Sequence, residues 1–289
     1  MLTSESALSL FRAALEEDRA TDDVTTQWLG RALQKRGKRL PSSRRFQIVA
    51  KEVGVFAGGL WVDAGARLGG FEVRSRVGDG ARLDPGAVVV EGLGDVGPLL
   101  ATERVLLNGL QHACGIATMT RRHVDEVEAA ARARGLAKAP GVYHTRKTLP
   151  LLRDLERSAV LAGGGAAHRR DLAEFVLFKD NHKEILLEEG LGWGDLAAAV
   201  SDRPVWIEVD TSEEAEAVVA AGFRRLLLDN FGPSQVENLL RRLPADCEIE
   251  ISGGLGLGRL APFVQPGVQR LSVGAVTHSA RALDLSMDF

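Results

Sequence analysis

The sequence predicts an α/β protein in which a run of β/α units forms a parallel barrel behind a separate sheet-and-helix segment, and three observations predict it. A strand-then-helix alternation begins near residue 159, with the repeat of about twenty residues expected of a β/α unit. Its candidate strands are short and continuously apolar, as strands covered on both faces are. Charged and polar residues follow these strands, whereas ordinary turn residues such as Arg203-Pro204 and Pro244-Ala245-Asp246 precede them. That asymmetry is what a barrel with its chemistry at one mouth produces.

Taken in order, residues 45–50, 71–74 and 87–91 read as strands separated by Gly-Asp-Gly and Asp-Pro-Gly turns, a hairpin-rich sheet unlike the β/α alternation of the second half. Residues 102–131 read as helix, with Leu106, Leu107, Leu110 and Ala113 at three- and four-residue spacing, although Gly109 and Gly115 count against it. The domain junction is placed there, giving an amino-terminal α+β domain over 1–115 and a catalytic barrel domain over 116–279. The candidate barrel strands are 160–162, 175–178, 205–209, 225–228, 248–251 and 270–273. Helical patterns lie between the last four, such as 212–219, opened by Ser212 as its cap.

Composition narrows the function classes. With 45% hydrophobic and 26% charged residues the chain is ordinary for a globular protein, and a net charge of −3 supplies no general field for nucleic acid. Anion binding has to be local. No apolar run is long enough to span a bilayer, and the first twenty residues lack a basic start followed by an apolar stretch, so a cytoplasmic protein is expected. Cys114 and Cys247 are too few for a disulfide framework or a zinc site and read as small buried side chains.

The strands finish in Lys179-Asp180-Asn181-His182, Glu208-Val209-Asp210, Asp229-Asn230, Ser252-Gly253-Gly254 and Gly274. Gly163-Gly164-Gly165 precedes His168-Arg169, placing a backbone that can approach an anion beside two cationic or proton-donating side chains. Alone, such glycines are an ordinary turn. Thr145-Arg146-Lys147-Thr148 adds two more cations between apolar stretches, and a lone Arg-Lys pair is usually solvated surface. Together, however, Arg146, Lys147, His168, Arg169 and Lys179 make a cationic pocket in a negatively charged chain, which implies a substrate with several negative charges.

Glu208 and Asp229 end neighbouring strands within that surround. Two carboxylates there either form structural salt bridges, bind a metal, or stabilise developing positive charge. A sugar cation formed during glycosyl transfer, with Mg²⁺ neutralising a departing pyrophosphate, uses both signs of charge. Ser252-Gly253-Gly254 and Val273-Gly274-Ala275 are placed to form a phosphate site from the final loops, a recurring barrel feature. His278 follows within a turn, either to donate to that phosphate or to pack.

These segments resemble the quinolinate phosphoribosyltransferase family, also called carboxylating nicotinate-nucleotide pyrophosphorylases. The matching stretches run in order over nearly the whole chain: Glu17-Asp18 through Asp23-Val24-Thr25, Glu103-Arg104 through Leu107-Asn108, Gly115-Ile116-Ala117-Thr118, and then the strand-end motifs already named through Thr277-His278-Ser279. The resemblance implies an incomplete barrel of fewer than eight strands, an amino-terminal domain completed by the tail at about 280–289, and a homodimer, open to further assembly, in which each amino-terminal domain closes its partner's barrel mouth. It implies transfer of phosphoribosyl from phosphoribosyl pyrophosphate to quinolinate with loss of CO₂, in NAD synthesis. Carried over by motif, Arg104 acts across the dimer, and with Thr145, Arg146, Lys147, His168, Arg169 and Lys179 it binds quinolinate. Lys147, Glu208 and Asp229 are the catalytic candidates, the two carboxylates also facing the ribose and its Mg²⁺. Ser252, Gly253, Gly254, Val273, Gly274, Ala275 and His278 take the 5′-phosphate.

Two positions depart from the family pattern. His144 stands where aspartate is common, which bears on the pocket's protonation, and Cys114 stands where serine is common, a near-isosteric change. The alternatives are a sister protein of the same fold associated with molybdate transport and a catalytically silent barrel. Asp180-Asn181-His182 after Lys179 favours the biosynthetic enzyme over the first, and the full set of expected cations favours it over the second.

Overall fold

The computed structural model describes residues 1–199 and 202–289. The chain runs α1 (Ser4–Glu17), α2 (Val24–Gln34), β1 (Arg44–Ala50), β2 (Gly54–Val55), α3 (Gly59–Gly69), β3 (Glu72–Arg76), β4 (Arg82–Leu83), β5 (Val88–Gly94) and the 38-residue α4 (Val96–Ala133). It continues through β6 (Gly141–Tyr143), α5 (Arg153–Ala162), β7 (Val176–Phe178), α6 (Asp180–Glu188), α7 (Trp193–Ala198), β8 (Val205–Val209) and α8 (Ser212–Ala220). The last elements are β9 (Arg225–Asp229), α9 (Pro233–Leu240), β10 (Glu248–Ser252), β11 (Arg270–Ser272), α10 (Ala275–His278) and β12 (Leu285–Asp288). They divide into two compact units, one of Met1–Arg121, Thr148–Gly164 and Val276–Phe289, the other of Arg122–Lys147 and Gly165–Ala275.

In the first unit an antiparallel sheet has the order β12-β1-β5-β3. Alternation on β1 buries Phe46, Ile48 and Ala50 on one face, and Phe46 meets Phe71 edge-on at 5.3 Å. Helix packing centres on Phe11 and Trp61, 4.7 Å apart, with the Trp61 indole donating to the Leu106 carbonyl at 3.2 Å. Gly109 and Gly115, which weaken α4 as a helix, are what this packing requires. A Cβ at Gly109 would lie 2.3 Å from the Trp61 ring, and one at Gly115 would lie 2.1 Å from the Arg281 carbonyl oxygen. Asp23 belongs to a helix start: its carboxylate accepts from the Thr25 and Thr26 N–H groups, both at 3.0 Å, and the hydrogen bonds, led by that from Thr26, hold it below the usual carboxylate range.

The second unit holds six parallel strands in the order β6-β11-β10-β9-β8-β7. Neighbours follow chain order and the last strand pairs with the first, which is barrel topology opened between β6 and β7, where a lone bridge joins Tyr143 to Ala166. Alternate residues face opposite sides, so Ile207, Leu226, Leu228, Ile249 and Ile251, all fully buried, share one side. Trp206, Glu208, Leu227, Asp229, Glu250 and Ser252 share the other. That second side packs Leu177, Trp206 and Leu227 together against Phe175. Beside them Arg270 lies 4.4 Å over Trp206 and 5.0 Å over Tyr143 while its Nε donates to Glu248 at 2.8 Å.

Two local expectations are corrected. Residues 160–162 are the last turn of α5 and not a strand. Leu155, Ala159 and Val160 are buried at helical spacing, and a three-residue apolar run is equally consistent with either element. Helix α8 is capped by Thr211, whose hydroxyl accepts from the Glu214 N–H at 3.1 Å, and Ser212 is its first helical residue. The short β6, unforeseen from the sequence, supplies the strand that leads into Thr145.

Candidate active site

At the carboxyl ends of the parallel strands lies a cavity of about 440 Å³. Thr145, Arg146 and Lys147 enter it after β6, His168 and Arg169 from the segment before β7, and Lys179 with Asp180 after β7. Glu208, Asp229, Glu250, Ser252 and Ser272 come from β8 to β11, with Leu177 and Leu227 beneath. The cavity therefore brings together nine residues singled out in the sequence: Thr145, Arg146, Lys147, His168, Arg169, Lys179, Glu208, Asp229 and Ser252.

Short local contacts set these side chains. The Thr145 hydroxyl accepts from the Lys147 N–H at 3.1 Å, folding the Thr-Arg-Lys turn. Buried His144 lies below it, its Nδ1 2.9 Å from the Thr145 carbonyl oxygen. Lys179 pairs with Glu208. Arg169 is buried, stands 5.8 Å from the Phe175 ring and donates to the Phe175 carbonyl at 3.4 Å. Burial, then Arg146, push its guanidinium below the ordinary arginine value, while Glu208 and Glu250 pull the other way. Lys183 on α6 holds Asp210 at 2.7 Å and also pairs with Glu214, tying α6 to the end of β8.

Asp229 is set by the turn after β9. It accepts from the Asn230 side-chain amide at 2.7 Å, and Asn230, left-handed at φ 57°, donates its N–H to the Ser252 carbonyl at 3.0 Å. Gly253 makes this approach feasible: it sits at φ 92°, and a Cβ there would come 2.2 Å from the Asn230 side-chain oxygen. Ser252-Gly253-Gly254 thus leaves β10 in a turn matched to the neighbouring one. Val273 and Gly274 follow β11, and Ala275 opens the four-residue α10.

Glu250 and Ser272 also line the cavity and were not singled out. Glu250 carried a legible signal, because in Glu248-Ile249-Glu250-Ile251 strand alternation puts the carboxylates on the side opposite the isoleucines. Its carboxylate is wholly buried, 3.2 Å from His168 Nε2, and accepts from the Ser272 hydroxyl at 2.5 Å.

Other expected residues lie elsewhere. Gly163 caps α5. Arg104 is on α4 in the first unit, where it and Glu17, Asp18, Asn108 and His112 line a separate cavity of about 450 Å³. His278 is likewise in the first unit, its Nδ1 2.7 Å from the Ser279 hydroxyl. Neither cysteine is poised as a nucleophile: burial pushes the Cys114 thiol up to about 12 and raises Cys247 as well. Among the described residues no cluster of three His, Cys, Asp or Glu side chains could hold a metal, and no helix is long and apolar enough to cross a membrane.

Comparison with known proteins places this geometry. Residues 23–114 match the family described as quinolinate phosphoribosyl transferase, N-terminal domain, and residues 116–288 match its C-terminal domain. The chain is 37% identical to the nicotinate-nucleotide pyrophosphorylase [carboxylating] of Mycobacterium leprae, covering 98% of this chain and 97% of that one. It is 36% identical to the human protein of the same name, covering 82% and 80%. Among solved structures, NadC from Streptococcus pyogenes superposes with a TM-score of 0.86 at 32% identity, covering 100% of this chain and 98% of that one.

Proposed function

The chain belongs to the quinolinate phosphoribosyltransferase family, and from that premise we infer that its barrel cavity joins quinolinate to phosphoribosyl pyrophosphate. The products are nicotinate mononucleotide, pyrophosphate and CO₂, a step of NAD synthesis, so the protein is a pentosyltransferase. The observation that carries this reading is the convergence of Arg146, Lys147, His168, Arg169 and Lys179 with Glu208 and Asp229 in one cavity. A dianionic acceptor needs the cations, and a sugar that becomes cationic needs the carboxylates.

Arg146, Lys147, His168, Arg169 and Lys179 bind the two carboxylates of quinolinate, with Thr145 shaping the turn that presents Arg146 and Lys147. Arg146 and Arg169 can each make paired hydrogen bonds to a carboxylate. The pyridine nitrogen then attacks C1 of the ribose as the bond from C1 to pyrophosphate oxygen breaks. Glu208, oriented by Lys179, and Asp229, oriented by Asn230, stabilise the positive charge on the sugar. Once the ring nitrogen is quaternary, the neighbouring carboxylate leaves as CO₂, its electron pair stays on the ring carbon, and a proton takes its place. Lys147 and Lys179 act as fixed charges in this sequence and form no Schiff base.

A divalent ion suits Glu208 and Asp229, two hard oxygen donors on neighbouring strands. With no metal-holding cluster of three such side chains among the described residues, the pair fits Mg²⁺, which keeps several waters and draws other ligands from substrate phosphates. When bound, that ion would neutralise the departing pyrophosphate. The turns at Ser252-Gly253-Gly254 and Val273-Gly274-Ala275 take the 5′-phosphate. Arg104 serves the site of a second copy in a homodimer, and the location is cytoplasmic. Purified protein with quinolinate, phosphoribosyl pyrophosphate and Mg²⁺ is expected to yield nicotinate mononucleotide by mass spectrometry; the reading falls if all three are supplied and none forms.

A further inference from the structure

We propose that Glu250 is a positioning residue for quinolinate recognition, anchoring the segment that carries His168 and Arg169 to the barrel wall through its bond to the His168 ring. This rests on the reading that the cavity takes quinolinate.

Residues 167–175, which contain both side chains, form neither helix nor strand. A binding group on irregular backbone needs an outside anchor to be held in one geometry. His168 has one: its Nε2 lies 3.2 Å from the Glu250 carboxylate, and its ring meets Phe175, at the far end of the same segment, at 5.2 Å. Glu250 is held in turn by the Ser272 hydroxyl on β11 at 2.5 Å, on the same oxygen that faces His168. One carboxylate thus ties β10, β11 and the incoming segment together.

Packing does not explain a carboxylate here. Glu250 is 0% exposed, and its other carboxylate oxygen is buried with no hydrogen-bond partner among the described residues. Such burial is costly. At the same level of the sheet, directly across the ladder on β9, stands Leu227, also facing the cavity side and also buried. The barrel accepts an apolar side chain in that layer. What Leu227 could not do from there is accept a hydrogen bond from an imidazole.

The test is a double-mutant cycle read by calorimetric titration of quinolinate and by steady-state kinetics. Glu250→Gln keeps the shape and removes the charge. It is expected to weaken quinolinate binding about tenfold, raising the KM for quinolinate while the KM for phosphoribosyl pyrophosphate and kcat change less than about twofold. In a His168→Ala background the same change should cost less than about twofold, because its effect passes through the ring. A tenfold loss that persists without His168, or quinolinate affinity unchanged in Glu250→Gln, overturns the proposal. Where Glu250→Gln does not fold, Ser272→Ala replaces it in both backgrounds, with a loss of about threefold expected only where His168 is present. Wild-type protein that binds no quinolinate would instead overturn the functional reading.

Discussion

Arg146 and Arg169 face one cavity, and their mutual repulsion together with the burial of Arg169 is part of what an incoming dianion relieves. Arg146→Ala and Arg169→Ala are therefore each expected to lose about 2 kcal/mol or more of quinolinate binding, the scale of a charge-assisted contact. Calorimetry on folded variants measures this, and unchanged affinity in both would remove the cavity from quinolinate recognition. Asp229→Asn keeps shape and removes charge, so its loss should appear in kcat rather than in quinolinate affinity. Wild-type turnover in saturating substrate and Mg²⁺ would end the electrostatic role. The departure at Cys114 needs no functional account: its thiol accepts from the Ala57 N–H and donates to the Ala57 carbonyl, as a serine would. Leu151 is different, a leucine at φ 68° and 85% exposed. A left-handed side chain of that kind costs about 1–2 kcal/mol, partly offset by the added freedom glycine has when unfolded. Leu151→Gly should raise the melting temperature by a few degrees, and a lower one would show that the loop stores no strain there.

Elements were legible where one physical rule acts alone. The strands at 205–209 and 225–228 match β8 and β9 because short apolar runs bounded by turn signals suit a covered strand, and 248–251 matches the body of β10 because its Glu-Ile alternation has a strand's period. Glu208, Asp229 and Ser252 at the ends of these strands line the cavity, as do Thr145, Arg146, Lys147, His168, Arg169 and Lys179 from the other motifs, whereas none of the turn glycines does. Legibility failed where two rules competed. The apolar run at 160–162 suits helix or strand, and its helical partners Leu155 and Ala159 lie outside the run. Three-residue β6 is too short to show a period. Glu250 was missed despite the Glu-Ile alternation around it, because alternation alone does not say which side of the strand faces inward. Lys183 was likewise missed, because the partners that pin α6, Asp210 and Glu214, lie on β8's end and α8. Burial works to lower the Lys183 value, but the hydrogen bonds it donates to Asp210 and Glu214 outweigh it and the net is upward. A raised lysine contributes stability that is full below its unfolded value, about 10.4, and that is lost as pH rises through the folded one. Lys183→Met should thus be less stable than wild type in urea at pH 8, with the gap closing toward pH 11; a gap constant across that range would exclude the ion pairs as its source.

At the scale of the whole molecule, the proposed dimer makes a prediction about Arg104. It lies in the first compact unit, its side chain 61% exposed and paired only loosely with Glu103 at 3.9 Å, whereas Lys147 lies in the second unit and lines the barrel cavity. An exposed arginine so weakly engaged gains little stability where it is, which leaves its side chain available for the cross-dimer role proposed above. If it completes the partner's site, chains carrying Arg104→Ala and chains carrying Lys147→Ala are each inactive alone, but a heterodimer of the two gathers both lesions into one site and leaves the other intact. Activity should return to about half per heterodimer after subunit exchange, a result that a self-contained chain cannot give because every one of its sites would carry a lesion. Exchange is monitored by native mass spectrometry. Confirmed heterodimers without recovered activity would mean that Arg104 acts within its own chain or not at all.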